Sequence, residues 1–238
     1  RHEDTMLFVV HKNAPGLTGQ GDWDPLGMRG TNSRDLILKD VFVAEDDMLM
    51  PRGIFGKTLP NWPHMMATLS PTYMGVAQGA FDFTVAYLKG KVPGQPPIDR
   101  RMYATKRIAV GKMYARLANM RALWWQAFSE AKGFPTKGEV MRMYAAQYNV
   151  MEGAAEMTSM AIRTCGGQSM LRSLPLERMY RDSRCGALML PYTSEIMEDY
   201  LSILTLYEMD EIDNAPGDEG GARNSLWRGD SGTLRMLR

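Results

Sequence analysis

The sequence predicts an α+β chain: β structure over residues 1–58, a mainly α bundle of four long helices over 59–210, and an unstructured tail over 211–238. Three observations predict it. Short apolar runs separated by Gly, Asp, Asn and Pro fill the first 50 residues. Beyond residue 63 the apolar period changes to the 3–4 spacing of amphipathic helices. After Asp210 the stretch "EIDNAPGDEGGARNSLWRGDSGTLRMLR" loses all period and turns to Gly, Asp, Asn and Ser, a composition that cannot bury enough apolar surface to order itself.

Each element has a local reason. "MLFVV" (6–10) reads as a strand, and Pro15-Gly16 turns the chain after it. "GDWDPLGMRGTNS" (21–33) is loop. "RDLILKDVFV" (34–43) reads as two strand segments, with a bend at Lys39-Asp40. "GVAQGAFDFTVAYLKG" (75–90) has few breakers and stops at Gly90, so it predicts the first helix. Pro93, Pro96 and Pro97 make the following segment a loop. Over 102–130, Met113, Leu117, Met120, Trp124 and Phe128 recur at steps of 4, 3, 4 and 4. Over 139–164, Val140, Tyr144, Tyr148, Met151, Ala155, Thr158 and Ile162 form a second stripe that ends at "CGGQS". Residues 193–208 predict the last helix, with Thr193 or Ser194 as N-cap. The Met and aromatic stripes fit the packed interior of a bundle without any cofactor, and the 21 methionines read as soft core filler.

Composition excludes several classes. Lys plus Arg is 28 and Asp plus Glu is 27, which argues against a nucleic-acid binder held by counterion release. No run approaches the roughly 18 apolar residues of a membrane span. The start "RHEDTMLFVV" is not a signal peptide; it begins with Arg and enters a strand at once, so the chain reads as a fragment of a longer protein. Cys165 and Cys185 make neither a disulfide framework nor a zinc knuckle, and a reducing, cytoplasmic setting is the expectation. There is no G-x-S-x-G, H-E-x-x-H, P-loop or G-x-G-x-x-G. The three histidines, His2, His11 and His64, are scattered and support no triad.

What remains is an ordered series: "LFVVHKNAPGLT", "LGMRGTNSRDLILKDVFVAEDDML", "GVAQGAFD", "RTCGGQSM" and "PLERMYRDSRCGALMLPYTSEIMEDYL". The series resembles the acyl-CoA dehydrogenase family over roughly residues 6–207. The resemblance implies that residues 1–58 are the remainder of a middle β-barrel domain and 59–210 a C-terminal four-helix bundle. It also implies FAD as cofactor, an acyl-CoA thioester as substrate and electron-transfer flavoprotein or a similar acceptor. The assembly it implies is a homodimer or homotetramer, with a hetero-oligomer as the variant, and with the FAD shared across the dimer.

Carried over residue by residue, the resemblance points to Gly166 and Gly167 as the flavin-binding turn after the third bundle helix. Glycines there let backbone approach a cofactor diphosphate, although a plain C-cap explains them equally. Arg163 stands where the family usually has Gln, and can still bond a diphosphate. Lys91 stands near the family's loop Arg; it keeps the charge without the bidentate fork. Thr193 and Glu195 match the turn that lies against the FAD, or alternatively are an N-cap and an acidic first turn. Arg181, Asp182 and Arg29 are expected to be structural.

The family's catalytic Glu has two known places, and both are empty here. One reads Leu190-Pro191-Tyr192; the other falls near Met65-Met66, and no acid lies between Asp47 and Asp82. The expectation is an FAD-dependent oxidoreductase of the acyl-CoA dehydrogenase type whose base comes from elsewhere. Two alternatives stand beside it: a same-fold reduced-flavin monooxygenase, and a non-catalytic subunit of a mixed oligomer.

Overall fold

The computed structural model describes residues 5–55, 64, 67–189 and 193–208. Its β portion consists of two small antiparallel pairs. β1 (Leu7–Phe8) pairs with β4 (Met48–Met50), and β2 (Leu17–Gln20) pairs with β3 (Asp35–Leu38) in the register Leu17 to Leu38 and Gln20 to Asp35. Only one strand forms over 34–43, where two were expected. The reason is local: Asp40 sits at φ 52, which turns the chain out of the ladder just after Lys39 N–H bonds the Gly16 carbonyl at 3.0 Å.

Among the described residues five complete helices follow: α1 (Ser70–Leu88), α2 (Ala104–Ser129), α3 (Lys137–Cys165), α4 (Pro175–Gly186) and α5 (Ser194–Leu206). The four long helices are those expected, except that α1 begins five residues earlier, with Pro71 in its first turn. The short α4 is an addition; it starts on Pro175, which is preorganised for a first helical turn. α3 opens with a reciprocal capping box, in which Thr136 N–H donates to Glu139 Oε2 at 2.7 Å and Glu139 N–H donates to Thr136 Oγ1 at 3.4 Å.

The buried core lies in the bundle, in two clusters divided along α3. One joins α1, α2, α3 and α4 through Tyr73, Met113, Leu117, Met120, Met151, Met157 and Leu176. The other joins the first half of α3 to α5 through Val140, Met143, Ile196, Met197 and a stacked Tyr144–Tyr200 pair 5.2 Å apart. Each such side chain contributes roughly 1.5–3 kcal/mol by burial. The predicted stripes are therefore core, and methionine supplies much of it.

The β portion is tied to the bundle through α4. Met28 N–H donates to Asp182 Oδ1 at 2.7 Å, and Arg181 Nη1 donates to the Leu26 carbonyl at 2.7 Å. A side chain on Gly27 would meet Arg181 O at 2.3 Å, so the close approach requires glycine. Arg181 is itself steadied by Glu177 at 2.9 Å, and Arg29 pairs with Asp24. These contacts give Arg181, Asp182 and Arg29 the structural tasks expected of them. Among the described residues no helix is long and apolar enough to cross a membrane.

Candidate functional site: the glycine turn and the basic end of the bundle

α1 and α3 end, and α2 begins, at the same end of the bundle, and there the structure collects four of the six sequence candidates. Gly166 caps α3 at φ 92 and ψ −176, a conformation open essentially only to glycine. Its N–H closes the helix on the Ile162 carbonyl at 2.8 Å. A Cβ built on Gly166 or on Gly167 meets nothing within 4 Å. The two glycines thus turn bare backbone toward open space, where a ligand can approach it. Behind them the turn is firm: buried Ser169 returns its hydroxyl to the Gly166 carbonyl at 2.7 Å.

The loop after α1 is fastened to this turn. Gly90, at φ 65, approaches Pro97 and Ile98 too closely for any side chain. Arg100 lies 4.5 Å over the Tyr87 ring and bonds the Ile98 carbonyl at 2.9 Å. The Tyr87 hydroxyl in turn donates to Gln168 Oε1 at 3.4 Å. Lys91 occupies the exposed start of the loop, its backbone N–H bonded to the Ala86 carbonyl at 2.9 Å. Arg163 is exposed one turn before Gly166 and borders a cavity of about 360 Å³ with Thr105, Lys106, Lys112 and Thr164. Lys106 Nζ donates to the Thr164 carbonyl at 2.5 Å, which offsets the negative end of the α3 dipole.

Thr193 and Glu195 lie elsewhere. Thr193 caps α5, its hydroxyl accepting from Ile196 N–H at 3.4 Å. Glu195 is held below the usual carboxylate range by hydrogen bonds from its own backbone N–H and from the Thr193 hydroxyl. The start of α5 is fixed to the middle of α3, where Glu152 accepts from Ser194 Oγ at 2.6 Å and from Arg184 Nη1 at 3.1 Å. Gly166 is 14 residues further along α3, or about 20 Å at 1.5 Å per residue. The six candidates therefore form two separate groups. The base places, Leu190-Pro191-Tyr192 and Met65-Met66, lie outside the described residues.

Sequence reasoning passed over Arg100, Lys106 and Lys112. A signal was available: from residue 85 to 112 there are seven Lys or Arg and one acid, Asp99, in a chain that is otherwise balanced.

A β portion thus leads into an antiparallel helical bundle with a glycine turn at one end. A family model described as acyl-CoA dehydrogenase, C-terminal domain, matches residues 64–201, and the chain belongs to that family. Among its relatives is L-evernosamine nitrososynthase of a Micromonospora species, 32% identical over 222 residues, which are 85% of this chain and 50% of that protein. YdbM of Bacillus subtilis, whose name places it among acyl-CoA dehydrogenases, is 29% identical over 195 residues, 77% of this chain and 48% of that protein. The structure of KijD3 in complex with FMN and dTDP-3-amino-2,3,6-trideoxy-4-keto-3-methyl-D-glucose is similar with a TM-score of 0.69 and 27% identity, over 83% of this chain and 50% of that one. The chain thus spans about half the length of the curated relatives it matches.

Proposed function

We propose that this chain is the C-terminal part of a flavin-dependent monooxygenase that receives its flavin already reduced and oxygenates an amine-bearing substrate. The observation that carries the reading is the missing carboxylate. Where the family resemblance puts a base, the sequence has Leu190-Pro191-Tyr192 and Met65-Met66, with no acid between Asp47 and Asp82. Removing a substrate α-proton needs a base within reach, typically worth about 10²–10⁴ in rate. Oxygen transfer from reduced flavin needs no such glutamate. The nitrososynthase and KijD3 likenesses support the reading, because the ligand in that KijD3 structure is an amino sugar. In balance, the amine, dioxygen and two-electron-reduced flavin give a hydroxylamine, water and oxidised flavin.

The cofactor in this reading is FAD. Gly166, Gly167, Arg163 and Lys91 face its phosphate-bearing end, while Thr193 and Glu195 meet another part. Because the two groups lie about 20 Å apart along α3, a second copy of the chain completes the site, so a homodimer or a dimer of dimers belongs to the proposal. The test is turnover of the full-length protein with a flavin reductase and ¹⁸O-labelled dioxygen. The reading expects one labelled oxygen in the product; product without label would contradict it.

A second reading, dehydrogenation of an acyl-CoA with electrons passed to an electron-transfer flavoprotein, is favoured by the family itself and by YdbM. It requires a base from a part of the protein outside this chain or from an unrecognised position within it.

A further inference from the structure

α2 is apolar on two sides. One side carries Met113, Leu117, Met120 and Ala127 into the core. The other carries Ile108, Gly111, Ala115, Ala118, Ala122 and Trp125, at steps of 3, 4, 3, 4 and 3. At roughly 100° per residue the two stripes lie on opposite faces of the helix. Every member of the second stripe is exposed, Ile108 by 60% and Trp125 by 70%. A Cβ built on Gly111 meets nothing within 4 Å. A helix that is apolar on both faces is one that is covered on both, and among the described residues this second face has no cover.

The alternating steps of 3 and 4 are those of a helix packed lengthwise on another helix. The bulk along the stripe also has a symmetry: from either end it runs large, four small, large. An isologous contact between two copies needs that property, because each residue faces its counterpart in reverse order. An unrelated partner would place no such condition on the stripe. With two α2 helices antiparallel, Ile108 stands opposite the partner's Trp125, Gly111 opposite the partner's Ala122 and Ala115 opposite the partner's Ala118. The small residues let the two backbones approach at the centre, and a large pair closes each end. The arrangement also sets the positive start of each helix beside the negative end of the other. α2 contains no Asp or Glu. Arg107, Lys112 and Arg121 stand at the edges of the stripe, where long side chains reach solvent, so apolar packing and not ion pairing holds the contact.

We infer that this face of α2 is an interface between two copies of the chain, packed antiparallel about a twofold axis between Ala115 and Ala118. The inference deepens the reading above, in which a second copy completes the flavin site. It rests on that reading only for the presence of the copy, and not on the oxidation performed.

Disulfide cross-linking of the full-length protein tests it. Gly111→Cys/Ala122→Cys puts two thiols about 16 Å apart along one helix, beyond the roughly 7 Å between Cα atoms that a disulfide spans, yet side by side across the twofold. Mild oxidation is expected to give a covalent dimer from the double variant. Neither single variant should give one, because in this pairing each thiol lies about 16 Å along the axis from its own copy. The wild type, with Cys165 on α3 and Cys185 on α4, should give none either. Ala118→Arg sets a long side chain at the crossing. Ala118 is exposed in the single chain, so the fold should persist, which a melting curve checks. Sedimentation is expected to show self-association at least about tenfold weaker in this variant. A monomeric full-length protein, an assembly in which the double variant does not cross-link, or one that Ala118→Arg leaves at full strength overturns the inference. No turnover is needed: product without labelled oxygen tells against the monooxygenase alone, and a missing cross-link against this interface alone.

Discussion

Gly166 and Gly167 are adjacent and chemically identical, yet they should respond differently to the same substitution. Gly166 holds φ 92 with free space where a Cβ would go. Gly166→Ala therefore strains the backbone without a clash, and should cost about 1–3 kcal/mol in urea denaturation. Gly167 has the same free space without the left-handed φ, so Gly167→Ala should stay within about 0.5 kcal/mol. Equal costs at both positions would contradict the backbone account. His64 gives a pH prediction. It is buried, neither ring nitrogen has a hydrogen-bond partner among the described residues, and burial lowers its pKa below 6.5 against the opposing pull of Glu139 and Glu130. The unfolded chain then takes up the proton more readily than the folded one. Its contribution is fully present above pH 6.5 and falls as the pH drops below that value. Melting temperatures from pH 7.5 to 5 should fall more steeply for the wild type than for His64→Gln. At this scale the glycine turn and Arg163 were legible in the sequence, because a glycine pair after a long stripe is a visible stop. The placing of Lys106 and Lys112 beside Arg163 was not, since it depends on α2 and α3 lying side by side.

Among the elements, the long helices were legible because a 3–4 apolar period sustained over 20 or more residues has no competing explanation. Their ends were less so. The start of α1 was set too late because Pro71 reads as a breaker, whereas it occupies a first-turn position where proline is tolerated. The helix α4 was missed because it is only 12 residues long, three of them Arg, with few apolar residues to mark its buried face. Two substitutions test how the elements are held. Thr136→Ala removes one half of the capping box at the start of α3 and should cost about 0.5–2 kcal/mol in chemical denaturation. Gly186→Ala would place a methyl 2.7 Å from Met151 Sδ and 2.8 Å from the Tyr73 ring, where α4 crosses α1 and α3. It should destabilise by about 1–3 kcal/mol, an overpacking cost; a neutral result would show that the Met151 side chain yields without penalty.

At the scale of the whole molecule, a near-neutral sequence is spatially polarised. Cations gather where α1 ends and α2 begins, next to the bare glycine turn, and the start of α5 lies about 20 Å away along α3. The family and fold were legible from the order of motifs, and the family model and the helical architecture agree with them. The division of the candidate residues into two groups was not legible, because it depends on where α5 docks against Glu152. The central claim concerns what happens at the flavin. The most direct measurement mixes the full-length, flavin-loaded protein anaerobically with a panel of acyl-CoAs of different chain length and follows flavin absorbance. The monooxygenase reading predicts that no acyl-CoA bleaches the flavin, while a reductase with its nicotinamide donor does. Rapid bleaching by any acyl-CoA would contradict it and restore dehydrogenation as the function.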